Sequence, residues 1–345
     1  MRRILAYGLA ASLIGALFLY LAVQQIDLAT VQAYLATADA GAIVGSSLLF
    51  LLMYAICHGA RIARWYELIQ PIGEVSRGTA MRVAAVGFGA IVLLPLRLGE
   101  FVRPILLSRK TDIPMTAALG TAVVERVVDG LTITGLLFVT LATYDGTANT
   151  NGIRAVGLVS AAIFVPALGM CFLAWWRRST ATWLLNATIG RWVPKVSAKL
   201  EELLLTFIDG LKALTRANAL ARFLAFSLVY WAFNGLSMWV LARYGFGLQV
   251  GPWESMTMLS VLVVGIMIPA GPGMAGNFEF FLLQGLGMFV SLASAEVQGA
   301  VGAFAAALHL LQFVVILTPA FLVMIVDPQS RKLVQMTQLN QSEGR

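Results

Sequence analysis

An all-α polytopic membrane protein, with six full spans and two re-entrant hairpins arranged as an inverted repeat, is the fold the sequence predicts. Three observations lead there. Of the 345 residues, 59% are hydrophobic and only 12% are charged, about half the charged share of a soluble domain. Apolar runs long enough to cross about 30 Å of hydrocarbon recur along the whole chain. Two further apolar stretches are broken by glycine and proline and carry charge at or just beyond the break. Such a pattern suits helices interrupted inside a protein-lined cavity.

Taken in order, the unbroken runs lie near residues 4–23, 40–60, 115–143, 155–176, 221–242 and 298–326. The first follows Met1-Arg2-Arg3 and shows no small-residue cleavage site, so it reads as a retained helix and not as a signal peptide. The first broken stretch, 79–95, is interrupted by Gly87, Gly89 and Pro95 and leads straight into Arg97, Glu100 and Arg103. The second runs over 255–269, breaks from Pro269 to Gly276, and resumes over 278–292.

Charge placement decides the threading. With a cytoplasmic N-terminus and each broken stretch returning to its own side, every Lys and Arg except Arg126, Arg154 and Arg243 is cytoplasmic. A full crossing by 79–95 would move Arg97, Arg103, Arg109, Lys110 and the basic 177–222 segment outside, against the positive-inside bias. Residues 1–150 then form a first membrane repeat, and 151–327 a second of opposite topology. Each hairpin holds a proline, a glycine-rich bend and a glutamate, Glu100 or Glu279. Inverted halves with broken helices in matching places put a substrate site where those helices meet. Within the second repeat, 195–218 reads as an amphipathic helix lying in the cytoplasmic interface and joining the halves. Residues 328–345 read as a polar cytoplasmic tail. The expected placement is the cell (inner) membrane, multi-pass, with both termini cytoplasmic.

Composition also excludes. The net charge of +7 sits at the ends of apolar segments, where it sets orientation and attracts lipid head groups, so no nucleic-acid partner is expected. His58 and His309 are the only histidines, too few for a histidine-rich metal site, and no metal or cofactor is expected. His309, near Gln312, reads as a satisfied polar core residue. Gly271-Pro-Gly273-Met-Ala-Gly276 matches a dinucleotide fingerprint by letter only, since no strand precedes it and a proline occupies the turn. Cys57 and Cys171 lie in apolar runs and read as core thiols.

The chemistry concentrates in three places. Val124-Glu125-Arg126-Val127-Val128-Asp129 puts three charges inside the third span; left unpaired at depth they would cost roughly 7–10 kcal/mol. Glu125 and Asp129 share a helical face while Arg126 points about 100° away, and Arg97 and Arg103 are the intramolecular partners expected. Arg97-Leu-Gly-Glu100-Phe-Val-Arg103 offers two guanidinium groups and a carboxylate behind a proline break, which suits a lipid phosphate. Arg61, Arg64 and Trp65 follow the second span and read as an anchor at head-group level. The candidate binding residues are therefore Arg97, Glu100, Arg103, Glu125, Arg126, Asp129 and Glu279, with Arg61, Arg64 and Trp65 at the interface. No catalytic triad is visible.

Together, Arg61-x-x-Arg64-Trp65, Arg97-x-Gly99-Glu100-x-x-Arg103, the Glu125–Asp129 run and the Pro-Ala-Gly-Pro-Gly loop before Glu279 resemble the lysylphosphatidylglycerol synthase transmembrane region family, flippase-like integral membrane proteins. The resemblance covers nearly the entire chain. It implies a plasma-membrane protein tied to lipid translocation or lipid-linked biosynthesis, in a family whose members serve phospholipids, hopanoids and lipid-linked sugars. The namesake carries a soluble aminoacyl-transfer domain after its membrane part. None follows here before Arg345, so a stand-alone, non-enzymatic member is expected. The expected partners are membrane lipids, an anionic phospholipid or a lipid-linked substrate; a second copy of the chain or a lipid-modifying enzyme is the protein partner it admits. Two rivals stay open: an integral membrane enzyme using Glu100, Glu125 or Asp129 on a head group, and a non-transporting subunit of a lipid-modifying complex.

Overall fold

The computed structural model describes residues 13, 15–24, 26–143, 151–185, 187, 201, 205–206, 208–210, 216–268 and 271–327. The loop 144–150, the tail 328–345 and most of the expected interfacial helix 195–218 lie outside the described residues. Among the described residues every regular element is helical.

Helices α1 (Gly15–Val23) and α2 (Leu28–Thr37) meet at a bend of 61°. The Asp27 carboxylate starts α2 by accepting from the Ala29 N–H, and Asp39 does the same for α3 (Ala40–Ile69). At about 1.5 Å per residue, α3 is about 45 Å long. The sequence placed its end near residue 60; it runs on to Ile69 and carries Arg61, Arg64 and Trp65 inside a continuous helix.

The first broken stretch doubles back on itself. Helix α4 (Arg77–Leu93), capped by the Ser76 hydroxyl, stops at an extended Leu94, the conformation forced on a residue before proline. Pro95 opens a 3₁₀ segment to Phe101, and α5 (Val102–Lys110) follows. Two glycines set the closeness of the two arms. A Cβ on Gly99 would lie 2.1 Å from the Ile91 backbone nitrogen, and one on Gly87 would lie 1.9 Å from Cγ of Arg103.

Helices α6 (Met115–Thr143), α7 (Asn151–Trp176) and α8 (Arg178–Leu185) follow, then α9 (Ala217–Val240), which ends in a π turn over Leu241–Gly245. The second broken stretch repeats the doubling back. Helix α10 (Pro252–Ile266) leads through a 3₁₀ turn (Pro272–Met274) to α11 (Asn277–Leu286), with Gly265 against Phe281 and Gly285 against Met258. The chain then closes with α12 (Ala295–Val326).

Packing crosses between the two halves. α3 and α9 run antiparallel, with Ser46 against Gly245 at one end and an Arg222–Glu67 ion pair of 2.7 Å at the other. The first hairpin lies on α12, where Gly89 meets Ala320, and the second lies on α6, where the Thr257 hydroxyl donates to that of Thr140. A Lys110–Asp327 ion pair ties the end of α5 to the end of α12.

Among the described residues three helices are long and apolar enough to cross a membrane: α3, α9 with its π turn, and α12; the bent α1–α2 pair would make a fourth. Their outer faces carry exposed Leu48, Leu52, Leu228, Leu310, Phe321 and Ile325, a greater apolar surface than water tolerates on a monomer. The 29-residue α6 carries Glu125, Arg126 and Asp129 in its middle.

Candidate functional site

The charges of α6 are neutralised by side chains from α3 and from the first hairpin. Arg64 is fully buried. It grips Asp129 with both terminal nitrogens, Nη1 donating to Oδ1 at 2.6 Å and Nη2 to Oδ2 at 2.7 Å, and Nη2 also donates to Oε1 of Glu125 at 2.9 Å. This is the fork-on-carboxylate geometry that makes arginine suited to buried pairing. Arg103, fully buried on α5, donates to Oε2 of Glu125 at 2.7 Å. Arg126 donates to Oε1 of the same Glu125 at 3.1 Å and lies 3.5 Å from Asp129 and 3.8 Å from Glu100.

Aromatic faces complete the packing. Arg103 lies 4.4 Å from the Phe88 ring centre and 5.1 Å from that of Trp65. Trp65 is itself fully buried and donates its indole N–H to the Thr121 hydroxyl at 3.3 Å. Arg64 and Trp65, expected at head-group level, are therefore core residues. The reason is the extra length of α3, which carries them alongside Thr121, Glu125 and Asp129.

The tip of the first hairpin is backbone-strained where the chemistry is. Arg97 has φ of 58°, the left-handed region that costs a non-glycine residue roughly 1–2 kcal/mol. Its guanidinium donates to Glu100 at 3.0 Å and to the carbonyl of Ile266 at 3.3 Å. Ile266 is the last residue of α10, so this bond joins the break of one hairpin to the break of the other. A cation there also meets the negative end of a helix dipole.

Across from the arginines, the second hairpin holds a separate polar unit. The Glu279 carboxylate caps its own helix, Oε2 accepting from the Gly276 N–H at 2.7 Å, while Oε1 lies 2.6 Å from Nδ1 of His309. Nε2 of His309 lies 2.9 Å from the Gly273 carbonyl oxygen. A carbonyl only accepts, so Nε2 is the donor there and Nδ1 faces the carboxylate. The ring stacks on Phe278 at 4.0 Å. His309 thus clamps the turn through Gly273, Met274 and Gly276, all of positive φ. Glu279 makes no bond to the arginine network among the described residues.

Between these two units lies a cleft of about 110 Å³, room for several waters or one small charged group, since about 10–15 Å³ of such space holds a water. One wall carries Arg61, Arg97, Arg126 and Asp129; the other carries Gly273, Met274, His309 and Gln312; Leu259, Leu262, Ile316 and Phe313 supply apolar surface. Arg61 lies with its guanidinium carbon 4.1 Å from the Phe88 ring centre.

Of the residues singled out from sequence, Arg97, Glu100, Arg103, Glu125, Arg126 and Asp129 are linked by ion pairs into one network, and Arg64 joins it. Arg64 is the principal partner that sequence reasoning assigned elsewhere, and Ser227, Tyr230, His309 and Gln312 are polar groups of the site it did not place there. The pairing of Arg97 also differs from expectation: it binds Glu100 and the α10 terminus and not the acids of α6.

The family model described as lysylphosphatidylglycerol synthase TM region matches residues 7–320, a stretch that takes in both hairpins, the arginine network and the His309 unit. No curated protein and no solved structure matches the chain. With most of its length matched and its apolar helices exposed on their outer faces, this multi-pass membrane protein belongs to the lysylphosphatidylglycerol synthase TM region family.

Proposed function

We propose that the chain is a flippase-like lipid transporter of the cell (inner) membrane, with both termini cytoplasmic, that binds the polar or anionic head group of a lipid in the cleft between its halves. The observation that carries this is the Arg97–Ile266 bond beside the cleft: the broken helices of the two halves meet there, as the substrate site of an inverted-repeat transporter requires. The head group would cross between the arginine wall and the His309 wall while the tails stay in lipid.

Six spans with two re-entrant hairpins is the threading that goes with this function. Support comes from the exchange of partners, each hairpin packing on the last long helix of the other half. The antiparallel α3–α9 pair supports it too, because equivalent helices of opposite topology must run in opposite directions. For Glu125 and Asp129 an enzymatic role is disfavoured by their hydrogen bonding. Both oxygens of Glu125 and both of Asp129 already accept from arginines, whereas a general acid or base needs an oxygen free to exchange a proton with substrate.

The test is transbilayer movement of head-group-labelled phospholipid in proteoliposomes, followed by recovery of the lipid. Faster movement with lipid recovered unchanged is the expected result. Chemically altered lipid would establish an enzyme instead, and no movement for any lipid class would leave a binding subunit.

A further inference from the structure

Resting on the transport proposal, the geometry points to Arg61 as an anion receptor that selects lipids whose phosphate carries no balancing positive charge. Within the site, Arg61, Arg64, Arg97, Arg103 and Arg126 face Glu100, Glu125 and Asp129, which leaves two positive charges in excess. The excess is not shared evenly. Arg64, Arg97, Arg103 and Arg126 each donate to a carboxylate. Arg61 lines the same cleft and has neither hydrogen bond nor ion pair among the described residues; its Nε is buried without a partner.

What holds Arg61 in place leaves its donors free. Its guanidinium carbon lies 4.1 Å from the Phe88 ring centre and 5.7 Å from that of Tyr230. A cation over a ring face is positioned without using its N–H groups. Arg64, one turn along α3, differs in that both its terminal nitrogens donate to Asp129 and Glu125, which leaves only its buried Nε without a partner. A planar guanidinium whose two terminal nitrogens have no partner among the described residues, beside a cleft that fits one small charged group, is suited to bidentate contact with a phosphate. A monoanionic phosphodiester reduces the excess charge; a zwitterionic head group brings its own cation back into an arginine-rich wall.

The experiment uses the whole chain in detergent and titrates short-chain phosphatidylglycerol, short-chain phosphatidylcholine and inorganic phosphate by calorimetry. Four proteins are compared: wild type, Arg61→Gln, Arg61→Lys and the control Arg82→Gln, which alters an exposed arginine of α4. Wild type and Arg82→Gln should bind phosphatidylglycerol alike, and Arg61→Gln roughly ten- to hundredfold more weakly, the loss of one or two charge-assisted bonds. Arg61→Lys keeps charge and stem but not the fork, and should bind several-fold more weakly than wild type; it decides the matter if Arg61→Gln does not fold. Equal affinity of both Arg61 variants and wild type overturns the assignment, as does equal binding of the two lipids by wild type. Arg61-dependent binding of inorganic phosphate would show that the phosphate alone is read; phosphatidylglycerol without phosphate would show that the lipid context is needed, and either result supports an anion receptor. Vesicle transport separates this from the transport proposal: movement of phosphatidylglycerol untouched by Arg61→Gln sinks the receptor alone, and Arg61-dependent binding without any movement sinks transport alone.

Discussion

Replacing Arg64 by methionine removes the most heavily bonded cation of the molecule while keeping an unbranched apolar side chain of similar reach. Three donations to carboxylates, at 2.6, 2.7 and 2.9 Å, and a longer one of 3.4 Å to the Ser227 hydroxyl disappear from a side chain with no solvent exposure. Hydrogen bonds to charged groups contribute about 1.5–3 kcal/mol each, so simple addition over the three carboxylate bonds gives roughly 5–9 kcal/mol. That sum is an upper bound, because Arg103 and Arg126 stay beside Glu125 and Arg126 stays beside Asp129. Breaking one side of a buried pair typically costs about 3–5 kcal/mol, which is the expected loss. Converted at about 2–4 °C per kcal/mol for a large domain, the melting temperature in detergent should fall by at least about 6 °C. Arg61→Gln is the matched comparison: same helix, one turn away, same charge removed, no ion pair lost. Its melting temperature should move by no more than a degree or two. Equal shifts for the two variants would refute the division of the arginines into a structural member and a free one.

Gly99→Ala should destabilise by roughly 1–3 kcal/mol or more, since its Cβ would meet the backbone of Ala90 and Ile91, which has no room to give; yield and thermal stability in detergent check it. Arg97→Gly relieves a left-handed residue of about 1 kcal/mol of strain but loses a partly exposed ion pair and the bond to the Ile266 carbonyl, so the melting temperature should fall by less than in Arg64→Met while lipid binding weakens. His309→Leu deprives Glu279 of one partner and Gly273 of its donor, and should cost about 3 kcal/mol, with His309→Gln recovering part; a thermal scan of both variants decides. For topology, in a background lacking Cys57 and Cys171, an impermeant thiol reagent added outside cells should label Gln249→Cys and spare Asp112→Cys, and the opposite pattern would reverse the threading.

Much of the fold was legible because its signals are local. Pro95 forces an extended Leu94, and glycines at 87 and 99 let two arms touch, so the break announces itself along one stretch of chain. The charges of α6 were legible too, since three ionic groups at mid-helix must find partners and Arg103 lies close upstream. Long-range pairing was not. Arg64 and Asp129 are brought together only because α3 outlasts its apolar run, and the polar residues beyond position 60 looked like a boundary when they were the continuation of a helix. The clue available was spacing: Arg61, Arg64 and Trp65 continue the helical period of the preceding span with no glycine or proline between them. His309 and Glu279 likewise meet only through the turn at Gly273 to Gly276, a contact no periodicity encodes. Among the described residues three helices have the length and composition of a span, or four with the bent α1–α2 pair, against the six spans expected from sequence.

The claim at the centre is that a lipid head group passes through the cleft between the halves. The most direct measurement is transbilayer movement of labelled phosphatidylglycerol in proteoliposomes containing wild type or Gln312→Trp, whose indole would occupy the cleft, with both proteins first shown to have matching melting temperatures. Movement in wild type that falls to the protein-free rate in Gln312→Trp is the predicted result; equal movement through both proteins would contradict it.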